Sequence, residues 1–338
     1  MKILITGGAG FIGCNSAKYF LDQGNEVTIF DNFSRKGTES NLGWLQGTYP
    51  DVGVTRGDIR DADAIREEVA KGYDALIHLA AQVAVTTSVV DPREDFDINA
   101  LGTFNVLEAC RLAEKQPTLI YSSTNKVYGG MEDVETHETN GRYEYKDLPN
   151  GVPENRLLDF HSPYGCSKGC ADQYVRDYSR IYGLKTVVCR QSCIYGYRQF
   201  GVEDQGWVAW FIIATVLGKP LTIYGDGKQV RDVLFVEDLV AAYDGCIQNI
   251  DKIAGSVYNI GGGSGNQMSL LELLAFLEKF TGRKIDTSFD DWRPGDQPVF
   301  VCDIAKAKAE FGWEPKVSVE EGVKKLYDWI VENKGLFE

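Results

Sequence analysis

Met1-Lys2-Ile3-Leu4-Ile5-Thr6-Gly7-Gly8-Ala9-Gly10-Phe11-Ile12-Gly13 decides the fold: an aliphatic strand runs straight into glycines at Gly7-x-x-Gly10-x-x-Gly13, and helical periodicity over Phe11–Leu21 follows at once. Glycines in a strand-to-helix turn let the backbone approach a pyrophosphate, and the helix N-terminus offers free N–H groups and positive dipole to that anion. Spaced glycines are a weak signal alone, since a tight turn without ligand also uses them. Their context strengthens it: the next strand ends in Asp31-Asn32, about 20 residues on, where a carboxylate accepts hydrogen bonds from an adenosine ribose and repels a 2′-phosphate. NAD is therefore expected over NADP, with Arg35 and Lys36 close enough to keep NADP as the alternative.

Working outward, Glu26–Asp31, Val52–Arg56, Ala75–Leu79, Leu119–Ser122 and Lys185–Arg190 also read as strands, with helix-length segments between them. That alternation predicts an α/β fold, a doubly wound parallel sheet with helices on both faces, and a smaller C-terminal α/β substrate lobe. The expected division is 1–190 plus 231–262 for the nucleotide domain and 191–230 plus 263–338 for the lobe. Residues 131–160 are expected as an insertion covering the active site, because so long a strand-to-helix connection is unusual.

The chain has 338 residues, 49 acidic against 35 basic, for a formal charge of −14, which excludes a generic basic nucleic-acid binder. No uncharged apolar run reaches the ~18 residues of a membrane helix, and the apolar start is too short for a signal peptide. The eight cysteines include no C-x-x-C pair and there are three histidines, so reduced thiols, a cytoplasmic location and no metal centre are expected.

The chemistry is concentrated around Ser162-Pro163-Tyr164, a helix-start signal that puts Tyr164 in the first turn and Lys168 one turn on, on the same face. A nearby ammonium favours phenolate, so Tyr164 is expected to remove a hydroxyl proton near neutral pH. Such a pair is ordinarily a surface contact. Here it accompanies a nucleotide fold and a strand end, Tyr121-Ser122-Ser123-Thr124, from which Thr124 can aim its hydroxyl at the same oxygen.

Together with His78-Leu79-Ala80-Ala81, Val127-Tyr128-Gly129, Val230-Arg231-Asp232 and Arg293-Pro294-Gly295-Asp296, these motifs resemble the extended short-chain dehydrogenase/reductases acting on nucleotide sugars, over nearly the whole chain. Ser123-Thr124-Asn125-Lys126, Asp159–Gly169 and Arg198-Gln199-Phe200…Asp204-Gln205-Gly206-Trp207 resemble the branch that inverts C2 of a CDP-sugar. The resemblance implies Thr124, Tyr164 and Lys168 as catalytic residues. For NAD it implies Gly7, Gly10, Phe11, Ile12, Gly13, Asp31, Asn32, Ser34, Arg35, Asp58, Ile59, Leu79, Ala80, Ala81, Gln82, Asn99, Ser122 and Gln191, besides Tyr164 and Lys168. For the sugar nucleotide it implies Ser88, Asn125, His161, Cys166, Ser192, Gln199, Gln205, Arg231 and Arg293, and for the assembly a homo-oligomer, dimer or tetramer.

The departures matter too. The family's usual Asn before Val-Tyr-Gly is Cys193 here. Dehydratases of the family carry Asp-Glu after the catalytic Thr, whereas this chain has Asn125-Lys126, neither of them an acid, so dehydration is not expected. Inversion at C2 of CDP-glucose, inversion at C4, and an inactive NAD-binding subunit stay open as alternatives. Cys166 also reads as a helix-packing thiol, and His161 as a loop pin.

Overall fold

The computed structural model describes residues 1–292 and 296–338. Its strands are β1 (Lys2–Thr6), β2 (Glu26–Asp31), β3 (Gly53–Arg56), β4 (Ala75–His78), β5 (Thr118–Thr124), β6 (Thr136–Thr139), β7 (Arg142–Tyr145), β8 (Thr186–Gln191), β9 (Cys193–Tyr195), β10 (Leu221–Tyr224), β11 (Val230–Phe235), β12 (Ser256–Ile260), β13 (Gln267–Ser269), β14 (Thr287–Asp290) and β15 (Val299–Phe300). The helices are α1 (Phe11–Asp22), α2 (Thr38–Thr48), α3 (Ala62–Val69), α4 (Val85–Val90), α5 (Pro92–Phe96), α6 (Gly102–Leu112), α7 (Ser162–Tyr182), α8 (Trp207–Leu217), α9 (Val236–Gln248), α10 (Ile250–Ile253), α11 (Leu270–Thr281), α12 (Ala305–Phe311) and α13 (Val319–Glu332), with a π-helical turn over Asp97–Leu101.

Seven parallel strands form the main sheet in the order β12-β8-β5-β4-β1-β2-β3. Both faces are covered, so strands read as continuous aliphatic runs. Ile3 and Ile5 of β1 point into one core with Phe20 of α1 and Tyr243 of α9, while Leu4 points into the other with Val106 of α6 and Val175 of α7. The chain leaves β1 toward β2 on one side and meets β4 on the other, with Ile5 beside both Ile29 and Ile77. At such a switch in strand order the loops diverge and leave a crevice at the carboxyl ends of the strands.

The smaller lobe is built on β11, which pairs with β9 and β15 in parallel and β13 antiparallel, next to a parallel β10–β14 pair. Its core joins Phe211 and Ile212 of α8, Leu273 and Leu277 of α11, and Leu326 and Ile330 of α13. The expected division needs correction at two places. Residues 231–235 lie in the small sheet, because β11 finds its partners in β9, β13 and β15; the chain rejoins the main sheet only through α9 and β12. Conversely, Ala307 of α12 and Trp313 are in the main core, where the Trp313 indole N–H donates to the Asp238 carbonyl at 2.9 Å.

Residues 131–160 also differ from expectation. They form the β6–β7 hairpin, turned by Asn140 (φ 53°) and Gly141 (φ 80°), a pair of left-handed residues suited to a two-residue hairpin turn. Tyr143 donates to the Asp226 carboxylate at 2.6 Å, Tyr145 to the Val299 carbonyl at 2.9 Å, and the Val152 amide to the Val301 carbonyl at 2.8 Å. The segment is thereby tied to the lobe and does not line the cleft described below.

Candidate active site

A cavity of about 1090 Å³ opens at the carboxyl edge of the main sheet and runs beneath the smaller lobe. The glycines at its floor have separate duties. Gly7 has φ +70°, and a Cβ there would lie 2.7 Å from the Ala80 nitrogen; a Cβ on Gly13 would lie 2.6 Å from Gly8 Cα and collide with the Gly7 carbonyl. Gly7 thus brings the turn against the loop after β4, and Gly13 packs α1 against the turn. Gly10 opens α1, whose first turn has neither a side-chain cap nor an acidic residue, leaving its amides and dipole for an anion.

At the end of β2, Asp31 accepts from the Ala9 amide at 3.0 Å and the Phe33 amide at 2.8 Å. Burial raises its pKa and these amides oppose the rise. Asn32 donates to Asp58 at 2.9 Å, and Asp58 is held down to about 2, chiefly by the Arg60 guanidinium bound to it at 3.0 and 2.7 Å. Arg35 is turned inward: it donates to Gln205 of the lobe and lies in electrostatic range of Tyr164. That placement bridges the cleft to the lobe while Arg35 stays in electrostatic range of Asp31.

The helix carrying Tyr164 and Lys168 begins at Ser162, with His161 in the N-cap position, one residue before the expected Ser162, and the Ser162 hydroxyl accepts from the Gly165 amide at 3.2 Å. Tyr164 and Thr124 both border the cavity, and Thr124 acts to lower the phenol's pKa. Lys168 is buried, donates to the Ser122 carbonyl at 2.6 Å and lies 4.3 Å from the Tyr121 ring centroid. Both expected to be in one place, they are; the expected electrostatics differ. Burial raises the Tyr164 pKa, with Thr124 and Arg35 opposing it and Asp95 adding to it, and burial pushes Lys168 down to about 7. A lysine so easily deprotonated lends the bare protein little positive charge with which to lower a phenol.

On the lobe side, Arg231 donates to the Val230 and Gln297 carbonyls at 2.8 Å each and to Asp296 at 2.5 Å. Ser192 is hydrogen-bonded to Asp232, and Asn125 accepts from Thr124 at 3.3 Å. These residues, with Gln199 and Gln205, border the cavity. Gln199 Oε1 and Gln229 Oε1 are buried acceptors with no protein donor among the described residues, and both side chains border the same cavity. Lys126, read in the sequence only as a missing acid, and Cys193 border it too; Lys126 lies near Arg231 and Asp296, and burial followed by Arg231 lowers its pKa. Their signal was available: Asn125 and Lys126 directly follow Thr124 at a strand end.

The cavity is also bordered by Gly7, Gly10, Phe11, Ile12, Gly13, Asp31, Asn32, Ser34, Arg35, Asp58, Ile59, Leu79, Ala80, Ala81, Ser122 and Gln191. Five expected contacts are not. Ser88 is buried beneath it, donating to the Val85 carbonyl at 2.7 Å and accepting the Tyr164 amide at 3.1 Å. Gln82 and Asn99 are spent on each other and on Asp95, since the π turn swings Asn99 inward between the loop after β4 and α7. His161 lies 3.2 Å from Asp159, and Cys166 is exposed on the opposite side of α7. Arg293 lies outside the described residues. Among the described residues no group of three His, Cys, Asp or Glu could hold a metal ion, and no helix is long and apolar enough to cross a membrane.

Comparison with known proteins agrees with this architecture. The chain is 50% identical over 337 residues to a CDP-paratose 2-epimerase of Salmonella typhi, covering 97% of this chain and 99% of that protein. It superimposes with a TM-score of 0.85 on the UDP-glucose 4-epimerase of Thermotoga maritima with UDP-glucose, at 31% identity, covering 99% of this chain and 100% of that one. For the UDP-glucuronic acid 4-epimerase of Bacillus cereus in complex with UDP-glucuronic acid and NAD, the TM-score is 0.84 at 29% identity, covering 98% and 100%. The family described as GDP-mannose 4,6 dehydratase matches residues 4–326, and this chain belongs to that family of extended short-chain dehydrogenase/reductases.

Proposed function

We propose that this chain is an NAD-dependent 2-epimerase of a CDP-sugar, of the type that converts CDP-paratose to CDP-tyvelose. The observation that carries the reading is 50% identity, over almost the whole of both chains, to a CDP-paratose 2-epimerase. It is joined by a site that gathers Thr124, Tyr164 and Lys168 beside a glycine turn. That turn suits a dinucleotide: the uncapped α1 terminus would take the diphosphate, Gly7 and Gly13 leave no room for side chains, and Asp31 would accept from the adenosine ribose. NAD held there would supply a hydride acceptor and, on return of the hydride, let C2 invert with no net redox change.

The protein's own residues do the rest. C2–H of a nucleotide sugar has no neighbouring carbonyl and is not acidic, so the labile proton is that of the 2-hydroxyl, and Tyr164 is its acceptor. Thr124, which borders the same cavity, shares that oxygen. Lys168, fixed between the Ser122 carbonyl and the Tyr121 ring, would hold the nicotinamide ribose and favours the phenolate when charged. Arg231, with Lys126 close by, places positive charge for the diphosphate. Asn125, Ser192, Gln199 and Gln205 line the remaining space for sugar and base.

The enzyme is assigned to the cytoplasm as a homo-oligomer. Leu101, Phe104 and Leu112 near α6 and Tyr174, Ile181 and Tyr182 on α7 are exposed, and Phe104 packs edge-on to Tyr174 at 5.9 Å, an apolar face suited to a second copy. NMR of the products from CDP-, UDP- and GDP-sugars tests the reaction. Inversion at C2 of a CDP-sugar is expected; inversion only at C4 of a UDP-sugar would replace the assignment. In D₂O the C2 position of product should stay free of deuterium, and stoichiometric label there would overturn the hydride route. Tyr164→Phe should lose ~10²–10⁴-fold in turnover while keeping NAD.

A further inference from the structure

Beneath the turn joining Tyr164 to Lys168 lies a buried carboxylate with no counter-ion. Asp95 on α5 is 1% exposed. One of its oxygens accepts from Gln82 and Asn99, each at 3.1 Å, and the other from the Ser167 hydroxyl at 2.5 Å. All three donors are neutral, and among the described residues no lysine or arginine pairs with it. Burying a charge without a cation is costly, so its retention calls for a reason.

Its neighbours supply one. Ser167 sits on α7 between the two reactive residues, also contacts the Tyr164 carbonyl at 3.2 Å, and accepts from Asn99 at 3.1 Å. The groups facing Lys168 are few. Asp172 on α7 is neutralised by Arg190, bound through two contacts at 2.9 and 3.0 Å, and also accepts Ser123. His78 on β4 is held between Thr6 and Thr103, and burial keeps it neutral, down to about 3. β5 contributes the Tyr121 ring and the Ser122 carbonyl, and Tyr164 lies one turn away on α7. Asp95 is therefore the one uncompensated negative charge toward this lysine among these groups.

We infer that Asp95 is a positioning residue: through Ser167 its carboxylate fixes the helix turn that spaces Tyr164 from Lys168, and its charge works against loss of the Lys168 proton. The inference rests on the proposed roles of those two residues. The electrostatics run the same way. Burial lowers the Lys168 pKa, and Asp172 and Asp95 oppose that fall; burial raises the Asp95 pKa, and Ser167 and Lys168 oppose that rise.

The test is Asp95→Asn, which is isosteric: its oxygen still accepts from Gln82 and Asn99, and its amide donates to Ser167. Loss of the negative charge disfavours the ammonium and eases ionisation of Tyr164, so both limbs of the kcat–pH profile should move about one unit toward acid. KM for the CDP-sugar should hold, with the thermal midpoint within a few degrees. A loosened fold would lower activity at every pH without moving the limbs, and unmoved limbs overturn the inference. Ser167→Ala is the second variant and decides alone if the first does not fold. It keeps the charge and removes the tether, so kcat should fall severalfold with the limbs in place, the thermal midpoint within a few degrees and NAD still bound; unchanged kcat, or a loss that only follows a lowered midpoint, refutes the tether. Absence of turnover in the unaltered protein would instead remove the functional reading itself.

Discussion

Lys168 is a stability liability that the site retains, and Lys168→Met should expose it. Burial holds the lysine's pKa near 7, against about 10.4 in an unfolded chain. Between those values the unfolded chain holds a proton that the folded protein has lost, so stability rises with pH through that window and is flat below it. Integrated from about pH 7 to about pH 9, the native site gains roughly 2 kcal/mol relative to a methionine variant that cannot titrate. Ionisations that Lys168 does not influence are common to both proteins and cancel in the difference. Urea unfolding of cofactor-free wild type and Lys168→Met at the two pH values reads it directly. Methionine also leaves the Ser122 carbonyl without its 2.6 Å donor, a penalty of about 1–3 kcal/mol that lowers the variant's curve without tilting it. Parallel curves would refute the reasoning, because they would mean that the buried amine keeps an ordinary affinity for its proton. The same variant should lose both NAD retention and turnover.

Gly13→Ala should cost about 1–3 kcal/mol in denaturant melts and release NAD, because the new methyl meets only backbone, Gly8 Cα at 2.6 Å among it. Ser88→Ala should leave KM for the CDP-sugar unchanged yet lower stability by about 1–3 kcal/mol, since it strips the Tyr164 amide of a buried acceptor; a large rise in KM with normal stability would put Ser88 back at the substrate. Asp172→Asn leaves Arg190 buried without its partner and should destabilise by about 3–5 kcal/mol, measured by urea unfolding.

The nucleotide half of the molecule was legible because its requirements are local. Gly13 is demanded by contacts within one turn and Gly7 by its left-handed φ of +70°, and the six strands read from aliphatic runs recur within a residue or two. Tyr164 and Lys168 were legible for the same reason, as helix spacing puts them on one face. Asp95 was not legible: a polar residue in Pro92–Phe96 reads as solvent-facing until the π turn folds Asn99 and Gln82 over it. Ser88, His161 and Cys166 show the converse. Each has side-chain chemistry suited to a sugar, and each is directed elsewhere by its packing.

What the sequence by itself determined is therefore what short-range geometry enforces: parallel β/α order, the pyrophosphate turn, the carboxylate at the end of β2, and the Tyr–Lys face. Tertiary structure decided what depends on distant partners. It assigned β11 to the small sheet, drew residues 131–160 against the lobe, turned Arg35 across the cleft to Gln205, and pushed Lys168 down to about 7 while raising Tyr164. The physical reason is common to all of these. Strand pairing and desolvation are set by whatever surrounds a residue in space, and that neighbourhood is made of segments far apart in the chain, 170 positions for Arg35 and Gln205.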